Sequence, residues 1–398
     1  MPFLVRIHPF AVAVAAATVA AIIHLRRRHS HIKAMGPTLL VLSAKSHEEL
    51  KLAQSLKLKL ETSASLNLSE EEKEVKVLLD SEVGPTDKLN FEVGSYMGSL
   101  VASRFGRLLI WSPRLSSTHD LVSKNFHELP CGTVCISDVQ FKGRGRSKNV
   151  WDSPLGCLLF SFTLQIEDGK KLPLLQYVVS LAVTEAIKQL CRDKGLPQLD
   201  LRIKWPNDLY LEGLKVGGIL CTSSYQSKFF HVSAGVGLNV DNQKPTTCLN
   251  TVLGKKRPNL SKLTREEILA SFFNKFEDLF EIFLKEGFNV LEDIYCKTWL
   301  HSGQKVVIEE KIDGRSIQAE VTIQGLTLSG YLLATDKQNN FFELHPDGNR
   351  LKVFYRCVLT FSLLLLSIAA LTSSKDLHSR CELFSNTFRI LPSYSLKI

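Results

Sequence analysis

Acidic residues are absent from the first 47 positions, which carry a basic cluster at Arg26-Arg27-Arg28. The net charge over all 398 residues is +9, so much of the positive excess sits in this stretch and the remainder is closer to balance. A basic total can mean nucleic acid, a membrane surface or anionic small substrates. Its confinement to one end weakens the first two readings, and no nucleic-acid partner is expected. Zinc-type cysteine clusters are also missing. Nine cysteines are scattered, the closest pair being Cys131 and Cys135. Buried free thiols in a reducing compartment fit this best, with metal or disulfide use as the alternative. Neither the Rossmann nor the Walker glycine pattern occurs. There is no internal repeat.

No secure membrane span is evident, and a membrane role is not expected. A span needs about 20 apolar residues. The run Phe10–Ile23 has 14, and Cys357–Leu371 also falls short. The first run suits a leader for a chloroplast or mitochondrion. Translation from Met35 would leave a cytosolic chain.

What is present is mostly globular: 44% of residues are hydrophobic and 22% charged, enough to build two or three domains. Five stretches follow one another: a leader at 1–35, a small α/β unit at 36–103, a large domain at 104–300, an all-β unit at 301–349 and an atypical tail at 350–398. In the second, Thr38–Ala44 and Glu74–Asp80 read as strands. Ser46 caps a helix whose first turn holds Glu48 and Glu49. In the third, Arg107–Trp111, Val134–Asp138, Cys157–Leu164, Leu201–Lys204 and His231–Val240 read as strands. Leu209–Leu211 and Val216–Cys221 form a hairpin across Gly213. Helical periodicity covers Leu174–Leu190 and Glu266–Lys285. The second of these has a stripe of Phe272, Phe273, Phe276, Phe280 and Phe283, read as core rather than a binding face. Many strands with few helices indicate an α+β chain with a mixed, largely antiparallel sheet. The fourth stretch has four short strands at the spacing of a small barrel.

Four motifs carry possible chemistry. Gln140-Phe-Lys-Gly143-Arg144-Gly145-Arg146-Ser147 follows a strand and precedes Trp151. Its glycines permit tight turning, and its two arginines can grip anions with forked hydrogen bonds. A solvated basic loop or an Arg-Gly nucleic-acid segment would look the same. Lys204-Trp205-Pro206-Asn207-Asp208 ends a strand, and the hairpin returns Lys215 toward the same end. The lysines could neutralise a carboxylate and a phosphate, and Asn207 and Asp208 could hold Mg²⁺ through oxygen. Ordinary turn chemistry explains the Asn-Asp pair equally well. Ser116-Ser117-Thr118-His119 can cap a helix or bind a polar ligand. Gly235-Val-Gly237-Leu-Asn239 is a strand with close packing, or a ligand floor.

Taken together, in this order and spacing, the motifs from Ser117 to Asn239 resemble the biotin–protein ligases, also called holocarboxylase synthetases. The resemblance extends over about 104–349, and is strongest to the higher-plant form. It implies a catalytic domain like class II aminoacyl-tRNA synthetases and lipoate ligases, followed by an SH3-like barrel. It implies biotin contacts from Ser117, Thr118, His119, Gln140, Arg144, Gly145, Arg146 and Lys215. ATP contacts fall to Gly143, Trp151, Asn207 and Asn239. Catalytic roles fall to Lys215, Arg144, Arg146, Lys204 and Asp208, with Mg²⁺ at Asp208 and Asn207. The substrates are then biotin and ATP, and the partners are the biotin carboxyl-carrier domains of carboxylases. No enzyme nucleophile is needed, so the lack of a Ser-His-Asp pattern fits.

Three features depart from the family. His119 stands where several relatives have Asn. Ser147-Lys148-Asn149 stands where many have a further Arg-Gly-Arg, leaving fewer fixed cations. After Asn349, relatives finish on one aromatic, basic strand, where this chain turns apolar and then Ser-rich. Two rivals are a lipoate ligase of related fold and a nucleic-acid-binding regulator. The strand-first reading of 36–103 speaks against a helix-turn-helix arm.

Overall fold

The computed structural model describes residues 37–62, 66–72, 74–84, 90–242, 244–259, 261–312, 315–346 and 352–353. The expected leader and the apolar run Cys357–Leu371 lie outside these. Among the described residues, no helix is long and apolar enough to cross a membrane. The chain divides into two compact units. One takes residues up to Ile203 and Asn207–Leu291; the other takes Lys204–Pro206 and everything from Glu292 on.

Nine strands form the sheet of the first unit: β1 (Thr38–Ala44), β2 (Val75–Leu79), β3 (Leu108–Leu115), β4 (Val134–Gln140), β5 (Cys157–Ile166), β6 (Leu201–Lys204), β7 (Asp208–Leu211), β8 (Leu214–Gln226) and β9 (Phe229–Asn239). Their order is β2-β1-β3-β4-β5-β9-β8-β7-β6. β1 runs parallel to β2, and β3 to β4. The pairings β1–β3, β4–β5, β5–β9, β9–β8 and β8–β7 are antiparallel. The mixed, largely antiparallel sheet is therefore observed. The stretch at 36–103 adds β1 and β2 to this same sheet.

Several helices pack on this sheet and on one another. These are α1 (His47–Thr62), α2 (Val93–Ser99), α3 (Thr118–Lys124), α4 (Leu172–Asp193), α5 (Leu249–Lys256) and α6 (Arg265–Glu286). α6 starts at a capping box, Thr264 with Glu267, and stops at Gly287, whose φ of 84° suits only a residue without Cβ. Its Phe stripe is core. Phe272, Phe273 and Phe276 meet Phe160 and Phe162 of β5 at ring separations of 5.0 to 5.9 Å. Each such buried ring contributes roughly 1.5–3 kcal/mol. β5 is buried along nearly its whole length, because α6 covers one face and α3 the other.

The second unit contains β10 (Lys305–Ile312), β11 (Arg315–Leu326), β12 (Leu332–Thr335), β13 (Phe341–Leu344) and β14 (Lys352–Val353), in the order β13-β12-β11-β10-β14. All pairs are antiparallel. Val306, Ile308, Val321, Ile323, Leu332, Ala334 and Leu344 fill its interior. Trp205 belongs here too: its indole donates to Gly330 O at 3.1 Å and its backbone N–H to His301 Nε2 at 3.0 Å. Lys352–Val353, from the stretch read as an atypical tail, pairs with β10. Among the described residues the sheet is open, with no pairing that closes it into a barrel.

Candidate functional site

Ser117 is the N-cap of α3 and its Oγ accepts from Asp120 N. That spends one orphan donor of the helix start and turns Thr118 and His119 onto the sheet. Thr118 donates from N to Gln140 Oε1 at 2.7 Å and from Oγ1 to the same oxygen at 3.1 Å. Its Oγ1 also lies 2.9 Å from Ser161 Oγ. Gln140 Nε2 donates to Ser153 Oγ at 3.1 Å. Thus α3 and both ends of the 140–153 loop are joined by side chains of β4 and β5.

His119 is buried, with Nε2 at 2.9 Å from Thr222 Oγ1 on β8. Burial is the main cause that brings its pKa down to about 4; Asp120 opposes this and Arg144 adds to it. The imidazole is neutral at physiological pH. Nδ1 is buried without a hydrogen-bond partner. A Cβ on Gly235 would lie 3.0 Å from that Nδ1 and 3.0 Å from Ser161 Oγ. The glycine keeps a polar space clear next to Ser161 and His119.

The loop after β4 folds back on itself. Gly145 N donates to Asn149 O, and Trp151 N to Gly143 O. Gly143 is required by contact: a Cβ there would stand 2.5 Å from Trp151 O and 2.6 Å from Ser153 Oγ. The fold-back lays the Trp151 indole across a glycine floor. A Cβ on Gly237 would be 2.6 Å from its Nε1, and one on Gly218 would be 3.6 Å from Cζ3. Lys215 Nζ sits 5.4 Å from the Trp151 ring centroid, at cation–π range.

Three cations surround this loop, each with a polar partner. Arg144 donates to Asp120 Oδ1 at 2.7 Å, Arg146 to Asn207 Oδ1 at 3.1 Å, and Lys215 to Asp208 Oδ1 at 2.7 Å. The structure therefore brings Ser117, Thr118, His119, Gln140, Gly143, Arg144, Gly145, Arg146, Trp151, Asn207, Asp208 and Lys215 into one connected network. Asn239 serves it indirectly. Its Nδ2 donates to Thr246 Oγ1 and Thr247 O, and Thr246 Oγ1 donates to Lys215 O. Lys204 ends β6 and belongs to the second unit.

The expected Mg²⁺ ligands do not fit as a protein-held site. Asp208 is paired with Lys215, and the oxygen of Asn207 faces the Arg146 guanidinium. A cation there would stand against two fixed positive charges. Among the described residues, no group of three or more His, Cys, Asp or Glu side chains is placed to hold a metal. Sequence reasoning missed Thr222, Ser161 and Ser153. Their only signal was small hydroxyl residues within otherwise apolar strands or a turn.

Residues 111–239 match the biotin/lipoate A/B protein ligase family. The chain is 58% identical over 318 residues to biotin–protein ligase 1, chloroplastic, of Arabidopsis thaliana, covering 79% of this chain and 85% of that one. It is 57% identical over 318 residues to biotin–protein ligase 2 of the same plant, covering 79% and 95%. Among solved structures, the biotin protein ligase from Aquifex aeolicus in complex with biotin and ATP is 25% identical with a TM-score of 0.49, covering 62% of this chain and 99% of that one.

Proposed function

The chain belongs to the biotin–protein ligase family, and from that premise we propose how its own residues carry the reaction. A carboxylate oxygen of biotin attacks the α-phosphorus of ATP, and the bond to pyrophosphate breaks. The ε-amine of an acceptor lysine then attacks the acyl carbon of biotinyl-adenylate. AMP leaves with the bonding pair, and the amine loses a proton. The acceptors are biotin carboxyl-carrier domains of carboxylases.

One observation supports these roles above the others: Arg144, Arg146 and Lys215 converge on the 140–153 loop around Trp151. The first step brings two anions together, so fixed positive charge lowers its barrier. Each cation is already oriented by a neighbouring oxygen, so little reorganisation is needed when an anion arrives. Thr118, Gln140 and His119 offer the hydroxyl, amide and neutral imidazole that a small polar ring system needs. Trp151 and the 140–153 loop cover the adenylate against water. Asp208, beside Lys215, orients the incoming amine. Asn207 and Gly143 serve the nucleotide by fixing Arg146 and the loop.

The open sheet at 305–353 is read as the small barrel of the family, and the larger sheet as its class II synthetase-like domain. The likeness to a chloroplastic relative supports residues 1–35 as an organelle leader. The loop's role is tested with Arg146→Ala. Its biotinyl-adenylate should dissociate at least tenfold faster, the size of one charge-assisted hydrogen bond. Unchanged release and transfer would remove the loop from the scheme.

A further inference from the structure

We propose that the acidic turn at Glu70–Glu72, which lies before the residues matched by the family model, positions the biotin-binding helix and loop. The inference rests on the ligase reading above. Glu72 is a buried carboxylate, 3% exposed. Its Oε2 accepts from Ser69 N at 3.2 Å and Ser69 Oγ at 2.8 Å. That much only closes its own turn, together with Glu72 N donating to Ser69 O. The same carboxylate reaches further. Oε1 accepts from Ser116 N at 2.5 Å, and Oε2 from Ser116 Oγ at 2.7 Å.

Ser116 immediately precedes Ser117-Thr118-His119. Its own carbonyl accepts from Lys142 N at 2.9 Å, two residues beyond Gln140. Lys142 Nζ is paired with Glu71 at 2.7 Å, so the turn grips the loop as well. Three residues before the turn, Asn67 N donates to Oδ1 of Asn125, the C-cap of α3, at 2.7 Å. The segment 67–72 therefore holds both ends of α3 and the root of the loop. Closing the turn alone needs none of these contacts. Burying a carboxylate is costly unless it is fully hydrogen-bonded, and here its bonds are spent on the backbone that aims Thr118 and His119. Glu72 is thus a positioning residue. It touches no reacting atom.

The test uses the full chain with ATP, biotin and a purified carboxyl-carrier domain, reading biotin KM and kcat separately. Glu72→Gln keeps the volume and removes the charge. It should raise biotin KM about tenfold, as expected for losing a charge-assisted hydrogen bond, and leave kcat within about twofold. Glu71→Lys should raise biotin KM about threefold, as befits a partly exposed pair. The swap Glu71→Lys with Lys142→Glu should restore it. A wild-type KM in both single variants, or a fall in kcat with KM fixed, overturns the proposal. So does a swap that fails to rescue. If Glu72→Gln does not fold, the surface pair decides alone. Failure of the wild-type chain to transfer biotin would instead count against the ligase reading.

Discussion

His119 titrates at about 4 instead of 6.5, chiefly because it is buried. His301, in the other unit, is likewise brought down to about 4 by burial, with Lys204 adding to this and its bond to Gln304 opposing it. In both cases the unfolded chain takes up the proton first. Stability is therefore complete above about pH 6.5 and is lost as pH falls toward 4. A shift of this size corresponds to roughly 3 kcal/mol per histidine. The thermal midpoint of the chain should fall over that window, and His119→Asn should flatten part of the fall. Midpoints measured between pH 4 and 8 check this; parallel curves for both proteins would contradict it. The sequence shows His119 as a family departure but not its neutrality, which comes from strands more than 100 residues away.

Among the elements, the β8–β9 floor and the 140–153 loop depend on each other through Trp151. A Cβ on Gly237 would lie 2.6 Å from Trp151 Nε1 and 2.8 Å from Cε2, so the indole must shift. Gly237→Ala should cost about 1–3 kcal/mol by overpacking, blue- or red-shift the Trp151 emission and speed loss of biotinyl-adenylate. Gly254→Ala is the control, since its Cβ meets nothing within 4 Å. Equal behaviour of the two variants would sink the coupling. The strands and the hairpin were legible because short apolar runs bounded by turn residues are a local property. α2 was not: its sequence VGSYMGS is rich in glycine and serine, and it stands because Tyr96 is buried and donates to Gly106 O at 2.7 Å. The Asn207-Asp208 pair was legible as oxygen donors. That the Asn207 oxygen meets a cation is decided by Arg146 on a distant loop, whereas Lys215 reaches Asp208 within one hairpin. The clasp at 67–72 left only a Ser-x-x-Glu trace at Ser69 and Glu72.

Over the whole molecule, a nine-stranded mixed sheet carries the site, and a second unit holds the smaller antiparallel sheet. The α+β class with a mixed sheet followed from strand count and pattern. The unit boundary did not, because Lys204–Pro206 join the second unit from the middle of the chain. Every residue of the network around Trp151 lies in the first unit. The most direct test is biotin transfer by the purified chain to a carboxyl-carrier domain with ATP, run beside lipoate. The expected result is ATP-dependent biotin on a single carrier lysine, AMP and pyrophosphate as products, and no lipoate transfer. An unmodified carrier, or lipoate attached in place of biotin, would contradict it.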